Sequence, residues 1–302
     1  MQNIPLIDLT QARVGGEAGK RQVSNEIDRA CREIGFFVIC GHGIERRIFE
    51  EVHALSRSFF QLPLSQKLAC KLDTGFTLPQ DPYTPYGYSG LLEENAYAYM
   101  GEQGKPSDYV EKISAGRLML NDQEPLPFPD DEVGRKLRQA LKHYFIACQQ
   151  VSTLLTELFT IPLGLPRDHF SKRMDNANDS LRSQLYPGYC GDLLHDQGMG
   201  AHTDGTVITI LIQTAPGIQV RTRAGAWISP VTSEVDHFIV NVGDLMAHWS
   251  KNEYVSTEHR VVLTHQERQS IVFFKLTNED EMVEGGNKQM DALFGREGAS
   301  AP

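Results

Sequence analysis

Two hydrophobic periods divide the chain. In "SNEIDRACREIGFF", Ile27, Ala30, Cys31 and Ile34 recur at helical spacing and share one face. Gly35 follows where a helix closes on a left-handed glycine. "FFVIC" then reads as a short strand turned by "GHG". A second helix is predicted from Glu45 to Phe60, and Pro63 opens a short helical turn. From Asp131 to Phe159, "VGRKLRQALKHYFIACQQVSTLLTELF" holds the helical period long enough to predict one long helix. His143 on it reads as a surface or core-edge residue. Between these helices, 73–108 is crowded with Pro, Gly, Tyr and Asp ("TGFTLPQDPYTPYGYSG") and is expected to be a long loop. Its tyrosines favour a lid over a disordered linker, because such linkers are poor in aromatics.

From Ser180 onward the pattern changes to strands. "SLRSQLYPG", "TVITILIQT", "GIQVRT", "AWISPV", "HFIVNVGD", "HRVVL" and "SIVFFKL" follow one another with turn residues between. Short strands with short connections predict a closed or sandwiched antiparallel β structure. The expected organisation is a helical N-terminal region with a lid-like loop over 1–110, packed on a core. That core spans 111–302 and holds the long helix and the strands as one structural unit. The last stretch, "GGNKQMDALFGREGASAP", reads as partly frayed.

Composition narrows the function classes. The 302 residues are 40% hydrophobic and 23% charged, as in an ordinary soluble globular protein. A formal net charge of −10 disfavours a nucleic-acid partner, because an acidic surface repels phosphate backbones. No basic cluster suits a membrane surface, and no run approaches the roughly 18 apolar residues of a spanning helix. The N-terminus lacks the basic and apolar regions of a signal peptide. Five cysteines, an odd number without a CxxC, argue against a disulfide framework or zinc ribbon and point to a reducing cytoplasm.

The candidate chemistry opens the strand region. His202 and Asp204, in "AHTDGTVITILIQT", are two apart, so an extended backbone points both the same way. A hydrogen-bonded polar pair has the same pattern, so the downstream partner matters. His259 heads "HRVVL"; if its strand neighbours the first, two imidazoles and one carboxylate converge. This 2-His-1-carboxylate set suits Fe(II), leaving three octahedral positions for a bidentate co-substrate and O₂. A zinc hydrolase also uses such ligands, but no HExxH supplies its general base. Arg268 and Ser270, again two apart, head the apolar "IVFFKL". An arginine turned into a barrel needs an anion, and its planar fork matches a carboxylate. The alternative is an edge-strand arginine in water.

Taken in order, "HTD…HRV…RQS" with "GIQV", "AW", "IVNVGD" and "WSKNEY" between them resembles the isopenicillin N synthase-like family of Fe(II)- and mostly 2-oxoglutarate-dependent oxygenases. "IPLIDLT", "GFFVICGHGI" and "FFQLPLSQK" resemble the family's N-terminal region, so the resemblance runs from residue 3 to about 278. "GYSGLLEEN…PSDYVEKISAG" also resembles the penicillin ring-expanding branch, which adds antibiotic biosynthesis to the expectations.

The resemblance implies an α+β, mainly β fold: a double-stranded β-helix, or jelly roll, flanked by helices. It implies that His202, Asp204 and His259 bind iron and that Arg268 and Ser270 bind the distal carboxylate of 2-oxoglutarate. Tyr186 stands where plant members carry the second tyrosine of an NYYP motif; Gln184 stands where they carry asparagine. Both are assigned to the co-substrate. Halogenating relatives lack the carboxylate of Asp204, so hydroxylation, desaturation or ring formation of a small molecule in specialised metabolism is expected. An Fe(II) oxidase of the same fold that uses no 2-oxoglutarate is the alternative. By position, Arg182, Leu185 and Val261 are expected to line the substrate pocket, with Tyr86 and Tyr88 closing it from the lid. His42 is expected to be structural, His195 a loop residue, and His248 and His265 peripheral.

Overall fold

The computed structural model describes residues 3–72, 86–120, 127–188, 197–278 and 281. The N-terminal half runs β1 (Leu6–Asp8), α1 (Thr10–Val14), α2 (Gly16–Glu33), β2 (Phe36–Cys40), α3 (Arg46–Phe60) and α4 (Leu64–Leu68). It continues through β3 (Gly87–Ser89), α5 (Ala96–Tyr99), β4 (Glu111–Gly116), α6 (Arg117–Leu120) and α7 (Glu132–Thr160). The C-terminal half comprises β5 (Ser180–Tyr186), β6 (Gln197–His202), β7 (Ile208–Gln213), β8 (Ile218–Arg221), β9 (Trp227–Ile228), β10 (Phe238–Val242), α8 (Asp244–Trp249), β11 (His259–Val262) and β12 (Arg268–Lys275).

Among the described residues these strands form two sheets. One has eight strands in the order β1-β2-β10-β7-β12-β5-β4-β3, and the other has four, β6-β11-β8-β9. Alternation along β12 shows why they stack. Ile271 and Phe273 belong to the large core shared with α2, α3 and α7, whereas Val272 packs with Ile218 and Val220 of the small sheet. The large sheet is therefore buried on both faces, helices on one and the second sheet on the other. This is the jelly roll flanked by helices that the resemblance implies.

The helical signals act as expected. Asp131 caps α7, its carboxylate accepting from the Gly134 N–H at 2.9 Å. Gly35 ends α2 at φ +67°, donating to the Ala30 carbonyl at 2.9 Å. A Cβ there would stand 1.9 Å from the Val255 carbonyl oxygen, so both conformation and space require glycine.

Three features differ from the pattern reading. The 73–108 stretch carries β3 and α5, with 73–85 outside the described residues. β4, "EKISAG", is buried at every position although it begins with two charged residues; Glu111 and Lys112 each meet an ion-pair partner, which makes that burial tolerable. The strand read at "FFVIC" is β2, but the pattern reading gave neither β1, which pairs with it in parallel, nor their joining of the large sheet through β10.

Candidate metal centre

Three donors converge between the sheets. His202 ends β6, Asp204 follows it, and His259 opens β11; the two histidines are direct cross-strand partners. One ligand atom from each of His202, Asp204 and His259 lies within 4.8 Å of the others. The Nε2 atoms of His202 and His259 stand 3.6 and 3.7 Å from the Asp204 carboxylate, and the imidazole centroids are 4.4 Å apart.

The surroundings orient each donor. Nδ1 of His202 meets the Gly200 carbonyl at 2.8 Å, and Nδ1 of His259 meets the Thr257 carbonyl at 3.1 Å. A carbonyl accepts only, so each ring carries its proton on Nδ1 and leaves the Nε2 lone pair facing the centre. Phe36 packs edge-on against His259 at 5.3 Å. Asp204 Oδ2 accepts from Thr209 Oγ1 at 2.6 Å and Asn241 Nδ2 at 2.8 Å. Burial drives His259 down to about 4 despite Asp204, so the ring is neutral and able to ligate. Burial alone would raise Asp204, but His259, His202 and the two hydrogen bonds outweigh it and hold the carboxyl below its ordinary range. Two imidazoles held by carbonyls at Nδ1 and one oriented carboxylate fit a divalent iron.

A second polar group lies at the other end of the inner face. In register, Arg268 faces Tyr186, and Ser270 faces Gln184 on one side and Gln213 on the other. Arg268 is 3% exposed, with its guanidinium carbon 4.8 Å over the Tyr186 ring. Its Nε and Nη2 donate to Gln213 Oε1 at 3.3 and 3.0 Å, and Nε also reaches the Ala215 carbonyl at 3.1 Å. Nη1 approaches Ser270 Oγ at 3.4 Å, and that hydroxyl donates to Gln184 Oε1 at 3.0 Å. Tyr186 Oη also donates to Gln184, at 3.3 Å. A Cβ on Gly217 would fall 2.8 Å from Arg268 Cδ, so glycine makes room for the side chain. The four residues assigned to the co-substrate from the sequence therefore lie together, with Gln213 as an addition.

The substrate assignments divide. Arg182 shares the inner face with Gln184, between Ser114 and Val272. Val261, two residues beyond His259, packs on Tyr186 and so lies beside the Arg268 group. Leu185 is corrected: it is three residues from Arg182, alternation turns it outward opposite Gln269 and Glu111, and it joins the helix-side core. Tyr88 is corrected likewise. Its hydroxyl donates to Glu111 Oε2 at 2.7 Å on the helix side, where Lys67 Nζ meets the same oxygen at 2.6 Å. Tyr86 is buried in that same core and abuts Gly116. The Tyr88 hydroxyl is thus turned away from the inner face.

Among the histidines, His42 is held by the Asp236 carbonyl at 2.8 Å and packs on Phe49 and Phe238. His143 is exposed beside Gln139, and His195 lies outside the described residues. Pattern reading missed Thr209, Gln213 and Asn241. Their signal is period two: each is polar within the apolar runs "ITILIQ" and "FIVNV", at a position facing inward.

The fold and centre together define a non-haem iron oxygenase. Residues 4–131 match the family model described as the non-haem dioxygenase in morphine synthesis N-terminal, and residues 178–277 match the 2OG-Fe(II) oxygenase superfamily. The chain belongs to the Fe(II)/2-oxoglutarate-dependent oxygenases, in the isopenicillin N synthase-like family. It is a dioxygenase with Fe(II), 2-oxoglutarate and O₂ as cofactor and co-substrates. It is 28% identical to homoarginine-6-hydroxylase 2-ODD-C23.1 of Arabidopsis thaliana, covering 94% of this chain and 87% of the relative. Its structure is similar to that of a full-length Neurospora crassa protein in complex with alpha-KG: TM-score 0.79, 26% identity, covering 93% and 87% of the two chains. It is also similar to JOX2 in complex with 2OG, Fe and JA: TM-score 0.74, 27% identity, covering 92% and 76%.

When bound, the iron supplies oxidation driven by decarboxylation of the keto acid; the protein supplies position and dryness. No helix among the described residues is long and apolar enough to cross a membrane.

Proposed function

We propose that this enzyme oxidises an unactivated C–H bond of a small molecule by hydroxylation, desaturation or ring formation, in specialised metabolism. His202, Asp204 and His259 hold the Fe(II), and Arg268 and Ser270 receive the distal carboxylate of 2-oxoglutarate, steadied by Gln184 and Tyr186. The observation that carries this reading is the convergence of three donor atoms within 4.8 Å. Each imidazole's other nitrogen is already spent on a carbonyl. A relative named for hydroxylating homoarginine and a similar structure holding JA support a small guest. The free cysteines Cys31, Cys40, Cys70 and Cys148 suit a reducing cytoplasm.

The test is anaerobic titration with Fe(II) and then 2-oxoglutarate. A weak visible charge-transfer band is expected, absent in His202→Ala. No band in the wild-type protein, or the same band in the variant, overturns the metal assignment.

A further inference from the structure

Arg182 has more donor capacity than the fold uses. Its Nε is buried and meets no hydrogen-bond partner. Its guanidinium carbon lies 5.3 Å over the Phe274 ring, which covers one face and leaves the edges of the fork free. Phe274 is the cross-strand partner of Thr209, whose hydroxyl donates to Asp204. Arg182 is thus connected to the metal carboxylate through two neighbouring side chains.

The neighbouring charges do not balance it. Lys112, diagonal to Arg182 on the inner face and 1% exposed, is ion-paired to Glu94. Burial alone would raise Glu94, but the charges of Lys112 and Arg182 outweigh it and hold the carboxyl at about 2. One carboxylate therefore faces two cations, and its ion-pair contact is with the lysine. Asp108, the other buried carboxylate nearby, accepts from the Ala96 and Gly200 N–H groups, both at 2.8 Å, and from Gln197 Nε2 at 3.0 Å. The cluster keeps an excess positive charge on Arg182, whose half-buried side chain has its Nε sealed from water without an acceptor, and a donor left so is costly. A planar fork with free edges matches a carboxylate, to which it donates paired hydrogen bonds.

We infer that the primary substrate is a small carboxylic acid, with its carboxylate received by Arg182, Lys112 flanking it as a second cation, and the oxidised carbon on the metal side of that anchor. This rests on the oxygenase reading above and goes further, because it names the substrate class. Arg268 is already committed to the co-substrate, so the two arginines divide two carboxylate ligands between opposite ends of one face.

The test uses the anaerobic Fe(II) protein at saturating 2-oxoglutarate. Phenylacetate, benzoate, cinnamate and hexanoate are each compared with their primary amides by perturbation of the charge-transfer band. At least one acid is expected to shift the band and to bind about tenfold or more tightly than its amide, the scale of one charge-assisted hydrogen bond. Arg182→Leu is expected to lose that preference while its affinity for 2-oxoglutarate stays as in wild type, and Arg182→Lys to recover part of it. The inference is overturned if no acid perturbs the band, if amides bind as tightly as acids, or if Arg182→Leu binds the acids unchanged. Failure of the band to form in the wild-type protein is a different result: it removes the oxygenase assignment itself.

Discussion

Gln213 Oε1 accepts two hydrogen bonds from a single guanidinium, Arg268 Nη2 at 3.0 Å and Nε at 3.3 Å. This occupies one edge of the fork and turns the Nη1 edge toward Ser270. The pair sits on adjacent strands, where Gln213 is the direct partner of Ser270. Gln213 therefore positions the arginine proposed to receive the co-substrate. Gln213→Leu is expected to weaken 2-oxoglutarate binding by about tenfold, the loss of one hydrogen bond to a charged group. Arg268→Leu should remove most of that affinity. In both variants Fe(II) affinity should be unchanged. Equal 2-oxoglutarate affinity in Gln213→Leu and wild type would assign Gln213 to packing alone.

Asn241 acts one step behind the metal site. Its Nδ2 donates to Asp204 Oδ2 at 2.8 Å from the middle of β10. Partners that orient a ligating carboxylate typically carry about 10–100-fold of metal affinity. Asn241→Leu should lower Fe(II) affinity within that range while leaving the far-ultraviolet circular dichroism spectrum intact. Competition with a chelator measures it, and wild-type affinity would show that Thr209 alone fixes the carboxylate.

The triad and the Arg-x-Ser pair were legible in the sequence because both use a period of two. Residues two apart on a strand face one way, so His202 with Asp204, and Arg268 with Ser270, announce themselves. Closing the triad with His259 required knowing which strands pair, and no local pattern contains the His202–His259 register. The same period corrects Leu185: odd spacing from Arg182 sends it to the opposite face. Lys112 and Glu94 were illegible for another reason. A lysine in "EKISAG" reads as solvent-exposed until the sheet order shows β4 covered on both faces.

The ion pair beneath that strand tests how β3 and β4 are held. Lys67 Nζ meets Glu111 Oε2 at 2.6 Å and the Phe60 carbonyl at 3.1 Å, with the Tyr88 hydroxyl on the same carboxylate at 2.7 Å. Removing one partner of a buried pair leaves an uncompensated charge, at a cost of roughly 3–5 kcal/mol. Lys67→Met should destabilise by that order in urea unfolding. Lys67→Met with Glu111→Leu should recover much of it, because an apolar replacement of both partners leaves no stranded charge. A double variant no more stable than the single would show that Glu111 is held by Tyr88 rather than by Lys67.

His53 predicts the direction of acid sensitivity. It projects from α3 and is 7% exposed. Burial, assisted by the charges of Arg57 and Arg268, lowers it from 6.5 to about 4, and neither ring nitrogen meets a hydrogen-bond partner. Between these values the unfolded chain binds a proton that the folded chain refuses, so stability falls as pH drops from 6.5 to 4. The full contribution is about 3 kcal/mol, present above the unfolded value and lost on acidification. Urea unfolding of the metal-free protein at pH 7 and pH 4, beside His53→Leu, isolates it, since every other titrating group is common to both. The variant should lose less stability than wild type between those two pH values. Equal losses would mean that the His53 imidazole is protonated inside the fold, and that the carbonyls of α3 or Gln269 accept its proton at no cost to packing.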